Sequence, residues 1–158
     1  MVSPLRRARG FGLIETMVVL TLMLLIAVAA SPFAVSWGNQ AAVRQTQSLL
    51  VQAMALTKST ALKNPLARSS NEPAATLISS ASAGLCVHAG SPAAVNCNGA
   101  LWRATPGASI QLQGANTQCI ALANDGRPLA ASVGALNCQT SLAYQISRGN
   151  ENSQANLN

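Results

Sequence analysis

Hydrophobic positions follow three regimes along the chain. Residues 11–30 are almost continuously apolar, with Glu15 as the one ionisable side chain among them. At ~1.5 Å per helical residue, this run spans roughly 30 Å, the thickness of a bilayer's hydrocarbon core, and so predicts a membrane-crossing helix. Pro32 removes a backbone donor and crowds the preceding turn, which predicts a kink. Helical spacing then resumes. Val43, Thr46, Leu49, Leu50, Ala53, Met54, Leu56, Thr57, Thr60 and Ala61 recur at three- and four-residue intervals, as in a stripe facing a core, while Arg44, Gln45, Gln47, Gln52, Lys58 and Lys63 fall mainly on the other side. Pro65 and the run from Ser69 to Pro73 stop the helix. The pattern predicts one long helix over residues 11–63, with 11–31 in the membrane, followed by a linker over 64–75.

Beyond the linker, short apolar segments are separated by Gly, Asn and Pro. Ile110 with Leu112, Ile120 with Leu122, and Leu142 with Tyr144 and Ile146 alternate as strands do, and Asn124-Asp125-Gly126 is a tight-turn signal. The expected fold class is α+β: an antiparallel β-sheet head over residues 76–150, packed on the second half of the long helix. The polar end, residues 151–158, is expected to be disordered. No internal repeat occurs.

Composition narrows the function. The 158 residues carry 49% hydrophobic and only 9% charged positions, so the chain is no disordered tail, and its length suits a single domain with an extension. A single His, His88, and a single Asp, Asp125, leave zinc sites and Ser-His-Asp chemistry short of ligands and bases. No cofactor is implied, and an enzymatic role is disfavoured. The net charge of +6 is concentrated at Arg6, Arg7 and Arg9; without them seven basic and four acidic residues remain, a net of +3. Aromatic residues make up 3%, too few for a base-stacking platform.

Arginines before the apolar run and none again until Arg44 predict a cytoplasmic start and an exported remainder. A cleaved secretory signal is the competing reading, with Ala27-Val28-Ala29 or Ala29-Ala30-Ser31 as a small-residue cut site. The length of the apolar run and the presence of Glu15 argue against it. A charged side chain at the centre of a membrane helix costs about 2.5 kcal/mol or more, and less near an end, so Glu15 asks for a partner.

The string Arg9-Gly10-Phe11-Gly12-Leu13-Ile14-Glu15, leading directly into an apolar helix, resembles the class III signal of type IV pilins and type II secretion pseudopilins. The resemblance implies that prepilin peptidase removes residues 1–10 by cutting after Gly10 and methylates the new amine of Phe11. It places Glu15 where that family keeps its assembly glutamate, and Pro32 where many pilins bend. An unmodified terminal amine has a pKa near 8 and is cationic at neutral pH. Paired with the Glu15 carboxylate of a neighbouring subunit, it would relieve two groups that are expensive to bury alone.

Cys86, Cys97, Cys119 and Cys138 all lie in the part expected to be exported, where an even number favours disulfides with three possible connectivities. Sequential pairing is the expected one, each short loop being worth about 3 kcal/mol. A metal site is disfavoured, since there is no Cys-x-x-Cys spacing and His88 stands alone. Leu85-Cys86-Val87, Cys97, Trp102, Asn124-Asp125-Gly126-Arg127, Asn137-Cys138 and the segment Tyr144 to Asn150 are similar in order and spacing to the GspH/FimT group of minor pilins and pseudopilins.

That likeness implies a structural subunit with other minor and major pilins or pseudopilins, and the inner-membrane assembly platform, as partners. A place in the tip or priming complex of a type IV pilus is the leading expectation, and a type II secretion pseudopilus is the alternative. Members of the FimT type bind DNA through a Gly-Arg-x-Arg segment near the carboxyl end. Here the corresponding stretch is Arg148-Gly149-Asn150-Glu151, and Gly126-Arg127-Pro128 lacks the second Arg. Arg127 and Arg148 are the candidate DNA contacts, and two exposed cations would support only weak, salt-sensitive binding.

Overall fold

The computed structural model describes residues 12–157. The chain divides into two compact units, the first ending at Ser36 and the second running from Trp37 to Asn158. Helix α1 (Leu13–Lys63) contributes to both. In the first unit every described side chain is exposed, including Leu20, Leu24, Leu25, Ile26 and Phe33. Its polar side chains fold back on the helix: the hydroxyls of Thr16 and Thr21 donate to the carbonyls of Leu13 (2.8 Å) and Val18 (2.9 Å). In an apolar medium that satisfies groups water would otherwise hydrate. The helix runs through Pro32, whose missing N–H deprives the Val28 carbonyl of its usual partner. The Ser31 hydroxyl donates to that carbonyl at 3.0 Å.

In the second unit α1 presents Ala42, Val43, Thr46, Leu50, Ala53, Met54, Thr57, Thr60 and Ala61 as its buried face. Two buried threonines bond differently: Thr57 Oγ1 donates within the helix to the Ala53 carbonyl (2.7 Å), and Thr46 Oγ1 accepts from the distant Ala108 amide (3.1 Å). The helix ends at Asn64, a left-handed residue with φ 43° whose side chain bonds both the carbonyl and the amide of Arg68. Pro65 bars continuation, and Lys63 in the last turn complements the helix dipole.

Ten strands follow: β1 (Ala75–Ser80), β2 (Gly84–Ala89), β3 (Trp102–Ala104), β4 (Ser109–Leu112), β5 (Gln118–Leu122), β6 (Pro128–Leu129), β7 (Ala131–Val133), β8 (Leu136–Cys138), β9 (Ala143–Arg148) and β10 (Glu151–Asn156). They form a five-stranded sheet in the order β3-β2-β1-β5-β6, a three-stranded sheet β10-β9-β4 and the hairpin β7-β8, with every pairing antiparallel. Together with α1 this is the expected α+β architecture.

Strand alternation divides the interior in two. Leu77, Leu85, Val87, Ile120 and Leu122 join Leu50 and Met54 of the helix, with Ile110, Leu112, Tyr144 and Ile146 from the three-stranded sheet. On the opposite side of the large sheet Ile78, Cys119 and Ala121 meet Val133 and Cys138 of the hairpin. The central strands β1 and β5 are therefore buried along their whole length. Trp102, on the edge strand β3, packs partly buried against the first cluster.

Two expectations are corrected. The tail expected to be disordered over 151–158 is ordered in its described part, 151–157: Glu151–Asn156 pairs in register with β9, and Leu157 is buried, its amide donating to the Leu142 carbonyl at 2.9 Å. A backbone ladder needs no apolar side chains, so a polar edge strand leaves no hydrophobic trace in the sequence. The linker also ends earlier than expected, since Ala74 is buried and β1 begins at Ala75.

Two glycines separate conformational from steric cost. Both have positive φ, 83° at Gly84 and 79° at Gly114; a Cβ at Gly84 would meet the Ala104 carbonyl oxygen at 2.6 Å, whereas one at Gly114 would meet nothing. Gly114→Ala should cost about 1 kcal/mol, the left-handed penalty alone. Gly84→Ala should cost about 3 kcal/mol or more, because strand β3 must move. Thermal unfolding followed by near-UV circular dichroism will rank the two, and equal losses would contradict the close approach.

Candidate functional site

The features with chemical consequence lie at separate places, so each is taken with the element that holds it. Gly10 and Phe11, the cleavage and methylation positions, lie outside the described residues, as do Arg6, Arg7 and Arg9. Glu15 is in the first turn of α1, where a carboxylate is favoured by the helix dipole. Its amide donates to the Gly12 carbonyl at 3.0 Å, and its side chain, exposed, forms no ion pair among the described residues. A carboxylate next to a largely apolar helical surface is the arrangement that a cation from another chain would relieve.

The four cysteines form two disulfides, Cys86 with Cys97 and Cys119 with Cys138, with Cα–Cα separations of 5.5 and 4.6 Å. The second joins the central strand β5 to β8, holding the hairpin over the outer face of the large sheet. The first ties β2 to the long loop before β3. No described cysteine is free, which removes a thiol nucleophile.

His88 supports the same loop. It lies in β2 opposite Thr76, buried, and Nε2 sits 3.0 Å from the Asn96 carbonyl oxygen, next to Cys97. A carbonyl only accepts, so Nε2 carries the proton. Burial holds its pKa below the usual imidazole value, partly opposed by the bond to Asn96. Thr76 Oγ1 in turn donates to the Gly90 carbonyl at 2.7 Å. His88 is thus a structural pin for residues 90–97. Among the described residues no group of three or more His, Cys, Asp or Glu is placed to hold a metal.

The two arginines considered for DNA are otherwise engaged. Arg127, at the turn before β6, donates its amide (3.0 Å) and Nε (2.6 Å) to the Asp125 carboxylate. These bonds, the amide first, lower the pKa of Asp125, and the pair is close to neutral as seen from solvent. Arg148, at the end of β9, donates Nη1 to the Gly107 carbonyl at 2.6 Å and ties that strand to the loop before β4. Arg127 precedes a strand of the five-stranded sheet, whereas Arg148 ends a strand of the three-stranded one.

With this geometry in place, the comparisons bear on the amino-terminal segment. Residues 5–31 match the family described as the prokaryotic N-terminal methylation motif. The match supports a type IV pilin-like protein. It spans Gly10, Phe11 and Glu15 and most of the exposed apolar helix, and it implies processing by prepilin peptidase and assembly with other pilins. The apolar stretch fits a single-pass membrane anchor. No match was found among curated proteins or among solved structures.

The His88 pin has a definite pH signature. An unfolded His takes up a proton near pH 6.5, whereas the native one resists it, so its contribution is full above that pH and falls as the pH drops toward the lower native value. Asp125, with its lowered pKa, loses its contribution only below the ordinary carboxylate range, in a separate window. The melting temperature of the head should fall between about pH 7.5 and about pH 5.5, and His88→Gln should flatten that slope. An unchanged slope in the variant would assign the effect to other groups.

Proposed function

We propose that the chain is a minor type IV pilin, a structural subunit of the tip or priming complex on which a pilus assembles. Its head faces the periplasm, and the anchor is retained after prepilin peptidase removes residues 1–10. The observation that carries this reading is the methylation motif running straight into a helix whose apolar side chains from Leu13 to Phe33 find no cover among the described residues. Lipid covers such a surface before assembly, and the helices of other pilins cover it afterwards.

In that setting Glu15 pairs with the methylated amine of Phe11 on a neighbouring subunit and fixes the axial register, since opposite charges gain most where water is excluded. Pro32, with its carbonyl partner Val28 already satisfied by Ser31, is the place where the helix adjusts its direction on joining the bundle. The two disulfides suit an oxidising compartment. The order and spacing that resemble the GspH/FimT group fit minor pilins and pseudopilins alike. A pseudopilin of a type II secretion system would use the same anchor and the same cut. DNA uptake is the less favoured role, because Arg127 and Arg148 are both taken up by bonds within the head.

Mass spectrometry of the native amino terminus should find N-methylated Phe11, and Gly10→Ala should leave the uncut form in the membrane. A product beginning after Ala29 would contradict the proposal. Glu15→Ala should insert and be cut normally, yet be largely missing from sheared filaments. Normal recovery of that variant in filaments would refute the pairing mechanism.

A further inference from the structure

Asn98-Gly99 is the one Asn-Gly pair among the 158 residues, and Asp125-Gly126 is the one Asp-Gly pair. In both, the glycine amide has no side chain to shield it and can attack the preceding side-chain carbonyl carbon, closing a five-membered ring. The fold treats the two pairs differently. Asn98 and Gly99 are exposed in the turn from Cys97 to Ala100, which a single bond closes, from the Ala100 amide to the Cys97 carbonyl at 3.3 Å. Neither the Gly99 amide nor the Asn98 carboxamide has a hydrogen-bond partner among the described residues. Beyond its chain neighbours, Gly99 has no atom within 4 Å of the position a Cβ would take. No packing opposes the rotation that brings its nitrogen over the Asn98 side-chain carbon.

Asp125-Gly126 is protected twice. The Gly126 amide donates to the Ala123 carbonyl at 2.9 Å, and the Asp125 carboxylate accepts from the Arg127 amide and Nε. Those bonds keep the carboxylate ionised, and an anion is a poor electrophile. The surroundings of Asn98 also decide what its modification does. Cys97 is tied to Cys86, the Asn96 carbonyl is held by His88, and the Leu101 amide donates to the Val87 carbonyl at 2.8 Å. A change confined to residues 98–100 leaves these attachments in place, so the head stays folded while its surface gains an acid.

We propose that Asn98 is a site of spontaneous covalent modification, converted by attack of the Gly99 amide through a succinimide to aspartate and isoaspartate. The Gly99 nitrogen gives its proton to solvent base and bonds to Asn98 Cγ, and the side-chain nitrogen leaves as ammonia. Water then opens the ring. Breaking the bond from the Gly99 nitrogen to Cγ gives aspartate, and breaking its bond to the backbone carbonyl carbon gives isoaspartate, with the chain rerouted through Cβ and Cγ. The reaction exchanges no electrons, and water is its one co-reactant.

The test incubates the full-length protein in neutral detergent at mildly alkaline pH, under native conditions and in urea. Samples are then digested with trypsin after reduction and alkylation. In the native sample the peptide Ser69–Arg103 should lose ammonia and gain water at Asn98, ahead of Asn71 and Asn96. That peptide should also accept a labelled methyl group from an isoaspartyl methyltransferase, whereas the peptide Ala104–Arg148, which carries Asp125, should accept it only from the urea sample. Isoelectric focusing should show a growing acidic form with unchanged near-UV circular dichroism. Asn98→Gln, which must close a six-membered ring, should slow the reaction at least about tenfold, roughly 1.4 kcal/mol in the barrier. An Asn98 that stays intact in the native protein would overturn the proposal. So would native reaction at Asp125 as fast as at Asn98, or methyl acceptance by Ser69–Arg103 that Asn98→Gln leaves unchanged.

Discussion

Residues 37–158 depend on covering two strands from both sides. β1 and β5 have no solvent face: the helical residues Leu50, Ala53 and Met54 lie on one side, and Val133 and Cys138 of the β7-β8 hairpin on the other. A charged protein of this size would usually spend surface charge on solubility and leave the interior to large side chains. This chain has few charges, and its interior mixes large side chains such as Leu50, Leu77, Ile120 and Ile146 with small ones. Ala53 and Ala61 of the helix, Ala74 just before β1, and Ala75 and Ala121 of the sheet are fully buried. Small residues bring helix and sheet close but remove little apolar area each, about 25 cal/mol per Å². The covalent closure of Cys119 to Cys138 is therefore a substantial part of what keeps the outer layer in place, and Cys86 to Cys97, with His88, does the same for the loop beside it.

The sequence made the helix legible almost residue by residue, because a stripe that is buried on one side only carries its periodicity openly. Ile110, Leu112, Ile120, Leu122, Tyr144 and Ile146 announced their strands for the same reason. β1 gave no such signal. With both faces buried, its polar residues Thr76, Ser79 and Ser80 are not set apart on a solvent face, and Ala75-Thr76-Leu77-Ile78-Ser79-Ser80 reads as neither period. At the other extreme β10 was hidden by having almost no apolar residues. Its pairing is a property of backbone and register, set by the Gly149-Asn150 turn that reverses the chain after Arg148.

The same distinction explains which functional features could be read. Gly10, Phe11 and Glu15 form a linear motif, recognised by an enzyme that meets the chain as a sequence, so their spacing is the signal. The His88 pin, by contrast, joins β2 to Asn96 of a loop and exists only once that loop is folded back on the sheet. Arg127 and Arg148 illustrate the converse: each has the right residue type for a phosphate contact, yet the fold gives each an internal acceptor.

Those internal acceptors bear on how the head meets its surroundings. A free guanidinium on a protein with so few acids would attract polyanions at long range, with a strength set by the ionic medium. Pairing Arg127 with Asp125, and Arg68 with Glu72 at 3.8 Å, returns two of the seven remaining basic residues to local neutrality. Exposed pairs of this kind add little to stability, so their main effect is on the field outside the protein.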